Sequence, residues 1–179
     1  MTLSQSAAGS APIPEPATAT YTVSVTGAND APVLTAPTGA TVTDTAVDDT
    51  FSAPTGTLSA TDRDTGQTIT YGVSGGTDDG TYVTLAGTYG TLRVTKADGA
   101  YLYTPNAAAI NALPSGTYSD AFTVSASDGL ASSTGTLTMT IAGANDTPAL
   151  ATPATASYVD TAVNDNFASA NGTLAASDR

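Results

Sequence analysis

Between residues 33 and 142, apolar and polar side chains alternate in short runs separated by glycine, proline, asparagine and aspartate. A period of two is the mark of a half-buried strand, and it predicts strands over 33–43, 50–60, 68–73, 82–86, 91–95, 100–104, 121–126 and 134–142. Asp98-Gly99 supplies a hairpin turn between the fifth and the sixth. The one helical signal is PNAAAINALPSG from Pro105, alanine-rich between two prolines, which predicts about two turns of crossover before Gly116. Seven or eight short strands in just over 100 residues favour an all-β, immunoglobulin-like β-sandwich with Greek-key connections. Phe51, Leu58, Ile69, Tyr71, Leu92, Val94, Tyr101, Tyr103, Phe122, Val124, Leu137 and Ile141 occupy the alternating positions that would face inward. With three Phe and no Trp the core is modest. Each such side chain contributes roughly 1.5–3 kcal/mol when fully buried, set against the cost of ordering a glycine-rich backbone.

The pattern also repeats. Shifted by 116 residues, TYTVSVTGANDAP from Thr20 overlies TLTMTIAGANDTP from Thr136, and the match runs without a gap to Arg179, with half of the 44 overlapped positions identical. Gly27, Asn29, Asp30 and Pro32 return as Gly143, Asn145, Asp146 and Pro148. The expected organisation is a tandem array. Residues 1–27 are a tail plus the last strand of a preceding copy, with residues 20–26 equivalent to 136–142. Residues 28–143 are one complete repeat, and 144–179 are the opening part of the next.

Composition narrows the chemistry. Threonine occurs 35 times, glycine 17 and proline 10, the usage of a turn-rich β protein rather than a helical bundle. With no histidine and no cysteine, disulfides, zinc–thiolate sites and every imidazole or thiol mechanism are excluded. Sixteen acidic against four basic residues, a formal charge of −12, argue against nucleic acid and anionic lipid as partners and for metal cations as counter-charge. The chain has no run of 18 apolar residues, so direct membrane insertion is not expected, and its first seventeen residues lack the basic start and apolar stretch of a secretory signal.

Three polar clusters sit at predicted strand ends: Asn29-Asp30 in GANDAP, Asp62 and Asp64 in ATDRDTG, and Asp128 in SASDGL. In a sandwich of alternating strands all three fall at one pole. Asp62 and Asp64, two apart in extended chain, would point the same way. Four carboxylates and an amide suit calcium, which takes six to eight hard oxygens. Taken singly, each of these residues is an ordinary turn former. Asp44, Asp48 and Asp49, like Asp78 and Asp79, read as solvated loop acids, and Tyr101 and Tyr103 read as core rather than as a sugar-stacking face. Paired carboxylates alone do not make a glycosidase, which also needs a cleft flanked by its acid and base.

These same segments resemble the inter-repeat signature of VCBS repeats, cadherin-like modules of large bacterial surface and adhesion proteins. TVSVTGANDAP, TMTIAGANDTP, GTLSATDRDTGQTITYGVSGG, GTLRVTKADGAYLYTP and FTVSASDG match that family in order, over nearly the whole chain from Thr18. The resemblance implies calcium at the junction between successive repeats, held by Asn29, Asp30, Asp62, Asp64 and Asp128, with Asn145, Asp146 and Asp178 beginning the next site. Cadherins complete a multi-ion junction with glutamates from the preceding domain, and the repeat has none, so one or two ions per junction are expected. The function so implied is a calcium-stabilised spacer or stalk repeat, not an enzyme, in a secreted adhesin or matrix filament at the bacterial cell surface. Its partners would be neighbouring repeats of the same chain, with head-to-tail self-association between copies. The alternative is a module that binds glycan or a protein partner through its Tyr-bearing face or the loops near Asp78.

Overall fold

The computed structural model describes Gly9 and residues 18–178; the rest of the expected N-terminal tail and Arg179 lie outside the described residues. In chain order the elements are β1 (Val33–Leu34), β2 (Thr41–Thr43), β3 (Thr55–Thr57), β4 (Ala60–Thr61), β5 (Thr70–Val73), β6 (Thr77–Asp78), β7 (Tyr82–Ala86), β8 (Gly90–Thr95), β9 (Ala100–Pro105), α1 (Ala107–Ile110), β10 (Gly116–Ser127), β11 (Ser132–Gly143), β12 (Ala149–Leu150) and β13 (Ala176–Ser177). Two sheets, of order β2-β11-β10-β5 and β3-β9-β8-β7-β6, enclose one apolar cluster. β3 pairs with β9 and β5 with β10 rather than with their chain neighbours, which are the crossed connections of a Greek-key sandwich. The protein is an all-β, immunoglobulin-like sandwich.

The period of two is plainest in the long hairpin. Phe122, Val124 and Ala126 of β10 and Leu137, Met139 and Ile141 of β11 are buried, while Ala121, Thr123, Thr136 and Thr138 between them face solvent. Across the sandwich lie Leu92, Val94, Tyr101 and Tyr103, and the rings of Tyr103 and Phe122 meet edge to face at 6.1 Å. Of the anticipated inward residues, Phe51 and Tyr71 are only partly buried against the core, and Ile69 is half-buried. Val42, Val73, Val83, Ile110 and Met139 join the core unanticipated. The buried carboxylate of Asp120 accepts from Tyr103 Oη (2.8 Å) and from the Thr88 and Tyr89 amides (2.8 and 3.0 Å), fastening the β7–β8 turn to β10. Burial, reinforced by that carboxylate, pushes the Tyr103 hydroxyl well above the usual tyrosine range.

Two expected strands are broken for steric reasons. The run 33–43 switches partners at Pro37 and Gly39: β1 pairs antiparallel with β4, and β2 pairs parallel with β11. A side chain at Gly39 would collide with the Thr138 carbonyl, so glycine permits this close crossing. The run 50–60 pairs only from Thr55, after Pro54, and the crossover helix is a single turn capped by Asn106, whose side chain accepts from the Ala109 amide.

The 116-residue repeat has a structural counterpart. Val33 opposite Thr61 and Leu34 opposite Ala60 recur as Ala149 opposite Ser177 and Leu150 opposite Ala176. The bond from Thr45 N to Asp49 Oδ2 (2.6 Å) recurs from Thr161 N to Asp165 Oδ2 (2.5 Å). The last strand expected over residues 20–26 does not form. Its counterpart in β11 is paired on both edges and covered by the facing sheet, whereas among the described residues 20–26 pair with no strand, and Tyr21, Val23 and Val25 are exposed.

Candidate metal centre

The linker motif occurs twice, at residues 27–32 and 143–148, and each copy meets a different end of the sandwich. At the start of the complete repeat, buried Pro32 anchors the Asn29-Asp30 linker to the end where β4 finishes and β10 turns into β11. Asn29 Nδ2 donates to Asp128 Oδ2 (3.0 Å) and to the Asp30 carbonyl (2.9 Å), and the Asp30 amide donates to Asp64 Oδ2 (2.7 Å). Gln67 Nε2 donates to Asn29 Oδ1 (2.8 Å). The other oxygen of Asp128 accepts from the Leu130 and Ala131 amides (2.7 and 2.6 Å). The Ala131 amide first, then Asn29 and the Leu130 amide, hold the Asp128 carboxyl below the usual carboxylate range. Asp62 and Asp64 are not in extended chain as expected. Past β4 the backbone bends, and the Asp64 amide turns back onto Asp62 Oδ1 (3.1 Å). Asp62 Oδ2 and Gln67 Oε1 are buried with no hydrogen-bond partner.

At the other end of the repeat, the second linker meets the loop that follows β2. The Ala144 amide donates to Asp44 Oδ2 (3.1 Å), the Asn145 amide to Ser115 Oγ (3.3 Å), and Asn145 Nδ2 to the Asp146 carbonyl (2.9 Å), repeating the Asn29 contact. Asp49 closes the loop by accepting from the Thr45 amide, and buried Asn111, just past α1, grips the Asp49 backbone through Oδ1 (3.3 Å) and Nδ2 (3.1 Å). Asp146 is 7% exposed, and both of its carboxylate oxygens lack a partner, as does Oδ1 of Asp44, 5% exposed. Loss of solvent first, then the charges of Asp44, Asp48, Asp49 and Asp178, push the Asp146 carboxyl above the usual range. Asp48, Asp146 and Asp178 line a common cavity of about 370 Å³ with Ala46, Val47, Thr147, Ala149 and Ser177.

Asp44 is therefore not the solvated loop acid expected from the sequence. Parity was the overlooked signal: Asp44 continues the inward face of Val42, and an inward aspartate at a strand end needs a partner. Asp78 and Asp79 are exposed as expected, though Asp78 closes strand β6 rather than lying in a loop and pairs with Lys96 (2.6 Å). Among the described residues, no three carboxylates converge into a ready-made metal cage. What the structure holds is two acidic clusters, each with a buried carboxylate oxygen that has no hydrogen-bond partner.

The family model of the bacterial cadherin-like domain matches residues 29–143, from the first linker to the end of β11. The chain belongs to the bacterial cadherin-like domain family. No curated protein matches it. Bacterial cadherin-like domains form an adhesion and structural fold found in surface or extracellular proteins, and such domains generally bind calcium. Among the described residues, no helix is long and apolar enough to cross a membrane. In this bacterial cadherin-like domain Asp44, Asp48 and Asp49 lie at the loop beside Asp146 and raise its carboxyl.

Proposed function

We propose that the chain is a calcium-stiffened spacer repeat of a secreted bacterial adhesin or matrix filament, with no catalytic role, and that its finer kinship is with the VCBS repeats its linker motifs resemble. The observation that carries this reading is Asp146: buried, unpaired at both oxygens, and facing Asp44, Asp48, Asp49 and Asp178. Like charges gathered out of water oppose docking of the linker, and a divalent ion reverses that balance. Asn29, Asp30, Asp62, Asp64 and Asp128 would hold calcium on one side of a junction. Asn145, Asp146 and Asp178, joined by Asp44, Asp48 and Asp49, would hold it on the other. With the ion bound, bending between repeats requires breaking coordination, so the array behaves as a rod. Extracellular modules bind calcium with dissociation constants of about 10⁻⁴–10⁻³ M, so a tenfold excess of free ion stabilises each site by roughly 1.4 kcal/mol. Thermal melting during calcium titration tests the proposal: melting must rise with calcium and fall back with chelator.

Neighbouring repeats of the same chain are the primary partners in this proposal. Head-to-tail association between copies is a second reading, favoured by the exposed stripe Tyr21, Val23 and Val25, which aligns with the buried Leu137, Met139 and Ile141. Mass that stays monomeric at high concentration in light scattering would remove it. For the alternative of a glycan- or protein-binding module, the buried Tyr101 and Tyr103 offer no face, which leaves it the exposed loops near Asp78.

A further inference from the structure

The two views of the linker differ in how completely its polar groups are satisfied. Toward the repeat that follows, residues 29 and 30 are tied by the bonds from Asn29 Nδ2 to Asp128, from Gln67 Nε2 to Asn29 Oδ1 and from the Asp30 amide to Asp64, none of which needs a cation. Gln67 is central to this set. Gly66, at φ +87°, turns the chain sharply after Asp64, and the next side chain, Gln67, reaches the linker. Asn29 is thereby gripped at both ends of its amide, by Gln67 through the oxygen and by Asp128 through the nitrogen. Two clamped ends fix the rotation of the side chain and with it the path of the backbone.

At the first linker the buried atoms without a partner, Asp62 Oδ2 and Gln67 Oε1, belong to the repeat and not to the linker, whereas toward the repeat that precedes they include the linker's own Asp146. The Ala144 and Asn145 amides are bonded, yet three buried carboxylate oxygens of Asp44 and Asp146 have no partner. Unpaired buried acceptors of like charge oppose that contact until a cation enters.

We propose that Gln67 is a positioning residue that locks the linker onto the repeat that follows it without metal, so that the calcium-sensitive hinge lies between the linker and the repeat that precedes it. The placement of the hinge rests on the calcium reading above; the Gln67 lock does not. Removing calcium then leaves the array as rigid units, each a repeat with its own leading linker, jointed on one side only.

Amide hydrogen exchange on the whole 179-residue chain tests both halves. In chelator, the Asp30 amide is expected to be protected, and the Ala144 amide to gain protection only when calcium is added. Gln67→Ala and Gln67→Glu should each speed Asp30 exchange by about tenfold in chelator. Ala144 exchange and the melting temperature should stay unchanged. The glutamate variant keeps the length of the side chain but has no donor for Asn29 Oδ1, so a role in packing alone would spare it. An Asp30 amide that exchanges at the rate of an unstructured peptide in wild type, or is unmoved in both variants, overturns the lock. A protected Asp30 with an Ala144 amide indifferent to calcium keeps the lock and overturns the hinge together with the calcium reading.

Discussion

Asp30 and Asp146 occupy the same place in the repeat, yet the first is exposed and the second buried; Pro32 and Pro148 show the reverse. The difference lies in which neighbour each linker meets. The first linker rests on the repeat that follows it, where Pro32 is buried and Asp30 stands clear. The second rests on the repeat that precedes it, where the loop of Asp44, Asp48 and Asp49 closes over Asp146 and leaves Pro148 in solvent. In the proposed array a full junction would be the sum of the two views, its linker docking downstream by the proline and upstream by the aspartate.

The largest effect separates covered from uncovered copies of one strand. Leu137→Ala should destabilise the repeat by about 2–5 kcal/mol, because it empties a fully buried site, while Tyr21→Ala at the aligned position should stay within about 0.5 kcal/mol. Chemical denaturation of the two variants measures this. Equal losses would mean that residues 20–26 are buried in solution.

Next comes the charge at the buried linker. Asp146→Asn removes one of the mutually repelling carboxylates, so in chelator it should slow exchange at the Ala144 amide by a few-fold, while the response of that amide to calcium is lost. The corresponding Asp30→Asn change, on an exposed side chain, should leave exchange in chelator unaltered.

A smaller, opposed pair of effects is expected with pH. The Asp146 carboxyl is raised by lost solvation and its acidic neighbours, so its favourable contribution to docking is present below the ordinary carboxylate value and lost as pH rises through its shifted one. The Asp128 carboxyl is lowered by the Ala131 amide, Asn29 and the Leu130 amide, so its contribution is present at neutral pH and lost as pH falls through the depressed value. In chelator, acidification should therefore protect Ala144 and expose Asp30. Parallel responses at both amides would contradict the assigned environments.

Much of this was legible in the chain. Alternation marked the hairpin of β10 and β11 and most of the core, since residues such as Leu137 and Ile141 must lie on one face once Phe122 and Val124 do. The gapless offset revealed the repeat that reappears as β1–β4 and β12–β13. Three things were hidden because they depend on contacts distant in sequence. The partner switch at Pro37 and Gly39 follows from a crossing over Thr138. The partner of Asp44, the Ala144 amide, lies a hundred residues on, although parity with Val42 marks the side chain as inward. The service of Gln67 and Asn111 is visible only when their amides meet Asn29 and Asp49, because a lone amide carries no motif.

Calcium-dependent melting of the wild type beside Asp62→Asn/Asp64→Asn and Asp78→Asn/Asp79→Asn double variants tests the central claim most directly. The account predicts a rise in melting temperature with millimolar calcium, a smaller rise in the Asp62/Asp64 variant, which keeps the Asp146 cluster, and the full rise in the Asp78/Asp79 variant, whose carboxylates face solvent beside Lys96. A melting curve indifferent to both calcium and chelator would contradict it.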